Sequence, residues 1–284
     1  MDIITKNIFD RWKEFTLEND HGMTVSVLNY GGVITNITVP DRNQKMENVV
    51  LGYKEYEKYK ENPNYFGALI GPVAGRIQDA SFELNGETHT LEANEGKNHL
   101  HGGKTGFHQV IWKVEPFKTD RHVGLNLFYK RADQEGGYPG NFDVHVTYTL
   151  NNDNQLRIDY MAESDGTTPV TLTNHSYFNL SGDMKDTVHH HEVTVNSGKF
   201  VELDEELIPT GRWIEVDGTA FDFRESRPLH HGFNARSEQN EIAGSGYDHY
   251  FLFDEKQEKN VIVRHADSGR KLTIKTDQPG MVMY

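Results

Sequence analysis

The chain contains no cysteine, which excludes disulfides, thiolate nucleophiles and cysteine-based zinc sites together. It has no basic run, and its net charge of −14 argues against nucleic acid or an anionic membrane surface as a partner. No stretch approaches the length of an apolar membrane span. The first residues, Met1-Asp2-Ile3-Ile4-Thr5-Lys6, lack the apolar core and cleavage pattern of a secretion signal. A soluble cytoplasmic protein is expected, with no membrane partner; its oligomeric state is not legible. Also missing are a Pro- or Ser-rich linker, a repeat, a low-complexity tract and a phosphate-binding glycine loop. Nothing divides the 284 residues, so a single domain over 1–284 is expected. A neutral small molecule is the partner that suits this balance.

What is present is strand pattern. Only 36% of residues are hydrophobic and 26 are glycine, which suits many short strands with turns better than a helical bundle. Phe142, Val144, Val146, Tyr148 and Leu150 alternate with polar residues, as do Leu156, Ile158, Tyr160 and Ala162. The turn-rich 151–154 segment between them predicts a hairpin. Asn85-Gly86 after Phe82 and Leu84 predicts a type I′ turn, and Asp267-Ser268-Gly269 separates two further strands. Helical signal is confined to Tyr53–Tyr59, a candidate short surface helix. The fold class is all-β: one antiparallel domain, a large two-sheet sandwich, with a closed barrel left open by pattern alone.

The segment 171–180 carries His175 in its middle. At strand period Val170, Leu172, Ser176, Phe178 and Leu180 share one face, with Asn174 among them. Thr171, Thr173, His175, Tyr177 and Asn179 share the other. The second face reads as the wall of a polar pocket with an imidazole at its centre. Asn98-His99-Leu100-His101-Gly102-Gly103 places two histidines on one face, next to glycines that allow close backbone approach. Arg76 follows a glycine turn, Asp248 opens an aromatic run, and Gln278 precedes Pro279-Gly280. Each has a plain structural reading too: Arg76 paired with a carboxylate, Asp248 capping a turn, a lone histidine in a hydrogen-bonded network. His189-His190-His191 reads as a solvated run in a loop rather than a metal site.

In combination these segments are specific. Asn98-His99-Leu100-His101-Gly102-Gly103, Asn174-His175-Ser176-Tyr177-Phe178-Asn179-Leu180, Tyr247-Asp248-His249-Tyr250-Phe251 and Gln278-Pro279-Gly280 occur in this order. The chain resembles the aldose 1-epimerase (galactose mutarotase) family from Gly31-Gly32 to its last residue. The resemblance implies a galactose mutarotase-like β-sandwich that interconverts the α and β anomers of a free aldohexose such as galactose or glucose. It implies His175 as the acid that protonates the ring oxygen and His101 beside it as a polarising group. Arg76, Tyr177, Asp248 and Gln278 are implied sugar contacts, Asp248 holding a pair of hydroxyls. No cofactor and no metal are implied. Imidazole suits the acid role because both of its forms are accessible near neutrality.

Two departures from the family's pattern carry expectations. Gly75 stands where the family usually has Asn. The family's general base is a Glu beyond the Gln-Pro-Gly segment, and here no Glu follows Glu258 and no acid follows Asp277. The domain is therefore expected to lack the family's C-terminal strands, to be unstable at the sheet edges this leaves, and to catalyse weakly. The alternative is a non-catalytic carbohydrate-binding protein of the same fold. A third reading, a metal-dependent cupin-type barrel using His99, His101 and His175, runs against the motifs. The acidic charge leans against a phosphorylated sugar.

Overall fold

Strand-period alternation bounded by turn residues is the dominant local signal, and the backbone follows it. The computed structural model describes residues 1–233, 235–254 and 259–284. Among the described residues strands account for most of the regular structure, and helix is limited to short turns. The chain divides into two units, residues 1–40 with 45–178 and residues 41–44 with 179–284.

In the first unit, Asp2–Phe9, Trp12–Glu18, Thr24–Leu28, Ile34–Pro40 and Met46–Asn48 form a five-stranded antiparallel meander. A second meander joins Lys113–Lys118, His122–Arg131, Phe142–Asn151 and Leu156–Ser164. Its register places Leu150 opposite Leu156, so the hairpin around 151–154 forms as expected. Phe142, Val144, Val146, Tyr148 and Leu150 are all buried, because period-two alternation turns one side chain in two towards the core. Fully burying an aliphatic side chain of this size contributes about 1.5–3 kcal/mol. The Tyr148 hydroxyl is satisfied inside that core by donating to the Gly32 carbonyl at 3.0 Å.

Asn85-Gly86 closes the hairpin of Ser81–Leu84 and Glu87–Thr90, with φ values of 53° and 83° that match a type I′ turn. The helix expected near Tyr53–Tyr59 is a 3₁₀ turn at Tyr56–Lys60. It is not wholly at the surface: Tyr59 is buried and its hydroxyl accepts the Tyr53 N–H at 2.9 Å.

In the second unit, Arg227–Pro228, Glu192–Val195, Val261–Arg264 and Lys271–Ile274 form one antiparallel sheet. Pro209–Glu215, Lys199–Leu203, His249–Leu252 and Gly280–Met283 form another, with Gly280–Met283 at its edge. Their core is aromatic, built on Phe200, Phe221, Phe223, Tyr247 and Phe251. Gly269 takes φ 72° in the turn between Val261–Arg264 and Lys271–Ile274. Two short helices, His230–Phe233 and Glu238–Ile242, had no periodic signal because they are only about one turn long.

The segment around His175 is less regular than its alternation predicts. Only Thr173–Asn174 is a strand, antiparallel to Leu69–Ile70, with bridges from Thr171 to Val73 and from Phe178 to Val50. Two face assignments fail. Val170 is 44% exposed. Asn179 is buried in the second unit, where its amide donates to the Asp186 carbonyl and accepts from Ser181. Outside Thr173–Asn174 the pairing is reduced to isolated bridges rather than a continuous ladder, so the period of two is lost at both ends of the segment.

The histidine run is likewise only partly solvated. His189 and His190 are exposed, but His191 is buried. Its Nε2 accepts the Leu180 N–H at 2.8 Å, and its ring lies 4.9 Å from that of His265. A buried backbone amide needs an acceptor, and this imidazole supplies it. Among the described residues no helix is long and apolar enough to cross a membrane.

Candidate active site

Two short strand pairs in the first unit place Arg76, His101 and His175. Arg76–Ile77 pairs with His99–Leu100, so Arg76 lies opposite Leu100, one residue before His101. Thr173–Asn174 pairs with Leu69–Ile70, and this pairing runs on through two backbone bonds. His175 N–H donates to the Ala68 carbonyl at 2.8 Å, and Gly67 N–H donates to the His175 carbonyl at 3.0 Å.

His101 and His175 are thereby brought together, ring centroids 5.2 Å apart and nearly perpendicular. Tyr177 lies 5.2 Å from His175 and packs edge-on against Phe66. Gly75 N–H donates to His101 Nδ1 at 2.9 Å, and His101 N–H donates to the Gly75 carbonyl at 3.1 Å. With Nδ1 accepting, the neutral ring carries its hydrogen on Nε2, which leaves a donor on the ring's other nitrogen. Gly75, the first departure from the family's pattern, thus orients His101 through its backbone.

Arg76 takes the ion-pair reading along with its place beside His101. Its Nε and Nη2 meet the two Glu95 carboxylate oxygens at 2.6 and 2.9 Å, a fork-to-fork pair with Arg76 mostly buried. Glu95 was missed in the sequence, where it sits in a polar loop with no periodic signal. His108 was missed too. It is buried, 5.0 Å from Tyr65, and its Nδ1 has no hydrogen-bond partner among the described residues.

His99 does not join the site. Its Nδ1 donates to the Glu92 carbonyl at 2.7 Å and its Nε2 accepts from the Tyr138 hydroxyl at 2.8 Å. Both nitrogens are engaged by the fold, so the metal triad with His101 and His175 lacks a ligand. No group of three or more His, Asp or Glu among the described residues could hold a metal.

Asp248 and Gln278 belong to the second unit. Asp248 is half-buried before His249–Leu252, and its N–H donates to His249 Nδ1 at 3.2 Å. Gln278 is exposed, its N–H donating to the Thr276 hydroxyl at 3.1 Å. Glu258 lies outside the described residues. A groove of about 620 Å³ lined by Lys130, Arg131, Asp143 and Glu163 contains none of the implied residues.

Burial sets the electrostatics. His101 is pushed down to about 3 by desolvation first, then by repulsion from His175, His108 and Arg76. His108 is pushed down to about 4 by desolvation and by His175. Desolvation also holds His175 below its ordinary value, countered by its own backbone. These rings are therefore neutral at pH 7 in the folded state. As pH falls below 6.5 the unfolded chain takes up protons that the buried rings refuse, so stability present at neutral pH is lost towards pH 4. For His108 the loss between pH 6.5 and 5 is about 2 kcal/mol. The urea midpoint is expected to drop from pH 7 to pH 5, and His108→Leu to flatten that drop. A His108→Leu slope identical to the parent's would remove His108 from the account.

The sequence and the fold have counterparts in known proteins. Residues 13–284 match the family model described as aldose 1-epimerase. The chain is 41% identical over 274 residues to galactose mutarotase of Mus musculus, covering 96% of this chain and 77% of that protein. It is 34% identical to aldose 1-epimerase of Escherichia coli strain K12, over 96% of this chain and 78% of that protein. The crystal structure of galactose 1-epimerase from Lactobacillus acidophilus NCFM superposes with a TM-score of 0.89 at 30% identity, covering all of this chain and 82% of that one. With motifs, fold and matches in agreement, the chain belongs to the aldose 1-epimerase family of isomerases.

Proposed function

We propose that the protein interconverts the α and β anomers of a free aldohexose, with His175 giving a proton to the ring oxygen as the ring opens. The observation that carries this reading is the His101–His175 pair at 5.2 Å, with a backbone amide fixing the tautomer of His101. Opening a hemiacetal moves one proton to the ring oxygen and removes another from the anomeric hydroxyl. The bond from the anomeric carbon to the ring oxygen breaks, the open-chain aldehyde turns its other face, and both transfers reverse on closure. Burial makes the protonated form of His175 a stronger acid towards a weakly basic ether-like oxygen, while reducing how much of that form is present. His101, neutral with a hydrogen on Nε2, donates to the same oxygen as its charge develops. Arg76 and Tyr177 contact sugar hydroxyls, Arg76 in the orientation that Glu95 imposes. Asp248 and Gln278 are assigned to sugar binding on the motif match. A two-sheet sandwich over 1–284 is part of the same proposal.

The base is the open half of the pair. The 284-residue polypeptide has no acidic residue after Asp277, and a positioned base typically contributes about 10²–10⁴-fold. Expressed by itself, it is expected to relax fresh α-galactose at least about 10²-fold more slowly than the Mus musculus relative. Polarimetry at high protein concentration measures this directly. A rate equal to the relative's would show that another group serves as base. Galactose binding with no catalysed exchange at all would favour the non-catalytic carbohydrate-binding reading.

A further inference from the structure

Tyr65 is the side chain shared by three imidazoles of the first unit, those of His101, His108 and His175. Its ring lies edge-on to His101 at 4.7 Å between centroids and edge-on to His108 at 5.0 Å. It also meets His175 at 5.7 Å, tilted by 34°. Since His101 and His175 touch each other at 5.2 Å, the phenol ring completes a three-ring contact with both.

The backbone that places this ring is unusual. Tyr65 has φ 55°, a left-handed conformation that bulky residues rarely adopt. Several hydrogen bonds hold it there. Tyr65 N–H donates to the Asn62 carbonyl at 2.8 Å, and Ala68 N–H donates to the Tyr65 carbonyl at 3.1 Å. Asn62 is buried, and its amide brackets the Phe66 backbone at 2.9 and 3.2 Å. Unfavourable backbone this fully determined clusters at functional positions. The same turn also registers His175, because Ala68 offers its carbonyl to the His175 N–H.

We propose that Tyr65 is a positioning residue of the acid site, its ring fixing the mutual orientation of His101 and His175 and shielding both from water. The proposal rests on the reading of this site as the proton-transfer centre of the mutarotase. Desolvation is the largest cause holding both imidazoles below 6.5, and Tyr65 is one of the groups packed on each. The other titratable groups acting there are His108, Arg76 and His99 on His101, with Glu95 bound to Arg76. Removing the ring exposes both histidines while leaving those groups in place. Removing only the hydroxyl does neither.

The test compares Tyr65→Ala and Tyr65→Phe with the parent 284-residue chain, by NMR titration of the imidazole Hε1 protons and by polarimetry on galactose. In Tyr65→Ala, His101 and His175 are expected to titrate at higher pH, towards 6.5. The catalysed rate should fall about 10–10²-fold through kcat, the scale of a small misplacement of a reacting group. KM should stay within about threefold, because the sugar contacts lie on other residues. Tyr65→Phe should match the parent in both readouts. If Tyr65→Ala loses its cooperative melt, Tyr65→Leu, which keeps bulk but not the flat ring, decides on the same two measurements. Unmoved titrations in the folded Ala or Leu variant would overturn the proposal, as would Tyr65→Phe behaving like Tyr65→Ala. A parent chain without any catalysed exchange would count against the mutarotase reading alone, and the titrations would still decide the role of Tyr65.

Discussion

Replacing His175 with Asn is expected to lower the catalysed component of galactose mutarotation by at least about 10²-fold, the smaller end of what one positioned acid contributes. Asn keeps a hydrogen-bonding side chain of similar reach and removes the proton that imidazolium can give up. The variant should fold, because the bonds that register this position use its backbone: the N–H to Ala68 and the carbonyl to Gly67. Polarimetric relaxation, corrected for the buffer rate and run beside a thermal melt, separates the two effects. A rate within about threefold of the parent's, outside the range of a lost acid, would place proton donation elsewhere. His101→Asn should also slow exchange, since it removes the Nε2 donor while leaving Gly75 N–H with no ring nitrogen to meet.

Gly67→Ala is expected to damage stability and site together. Gly67 has φ 66°, and an added Cβ would sit 2.0 Å from the Ile34 carbonyl oxygen and 2.9 Å from its carbon. Both are backbone atoms, so no flexible side chain can swing aside. Gly67 also makes three hydrogen bonds: its carbonyl accepts from Ile34 N–H at 2.8 Å and from the Asn174 amide at 2.9 Å, and its N–H donates to the His175 carbonyl. Left-handed strain for alanine is about 1–2 kcal/mol and overpacking adds about 1–3 kcal/mol, for a total of roughly 2–5 kcal/mol. Gly96→Ala is the matched control, with φ 59° and no atom of the described residues within 4 Å of an added Cβ. It should lose only the strain part. Urea midpoints at pH 7 give both differences, and equal losses in the two variants would remove the steric part of the account.

The hairpins were legible because their signals are local. Alternation from Phe142 to Leu150 and the Asn85-Gly86 pair act over two to ten residues, and both formed as written. The family was legible because Asn98 to Gly103 and Asn174 to Leu180 each keep their residues in one contiguous run. Tyr65, Glu95 and His108 were not, since each reaches the site from a loop whose sequence has no period. His191 was misread for a related reason: a polar run looks solvated until a distant backbone group, here Leu180 N–H, requires it inside.

By itself, then, the sequence determined the strand-rich architecture, its tightest turns and the family. Those depend on side-chain period, turn stereochemistry and residue identity, which are properties of short stretches. Tertiary structure alone decided that His99 is spent on Glu92 and Tyr138 while His101 is oriented by Gly75. It also decided that Arg76 is clamped by Glu95 and that Tyr65 lies among three histidines. Which hydrogen bonds a side chain makes, and how far burial suppresses its charge, depend on neighbours brought in from elsewhere in the chain. Two histidines two residues apart are equivalent on paper, and packing makes one structural and leaves the other a donor.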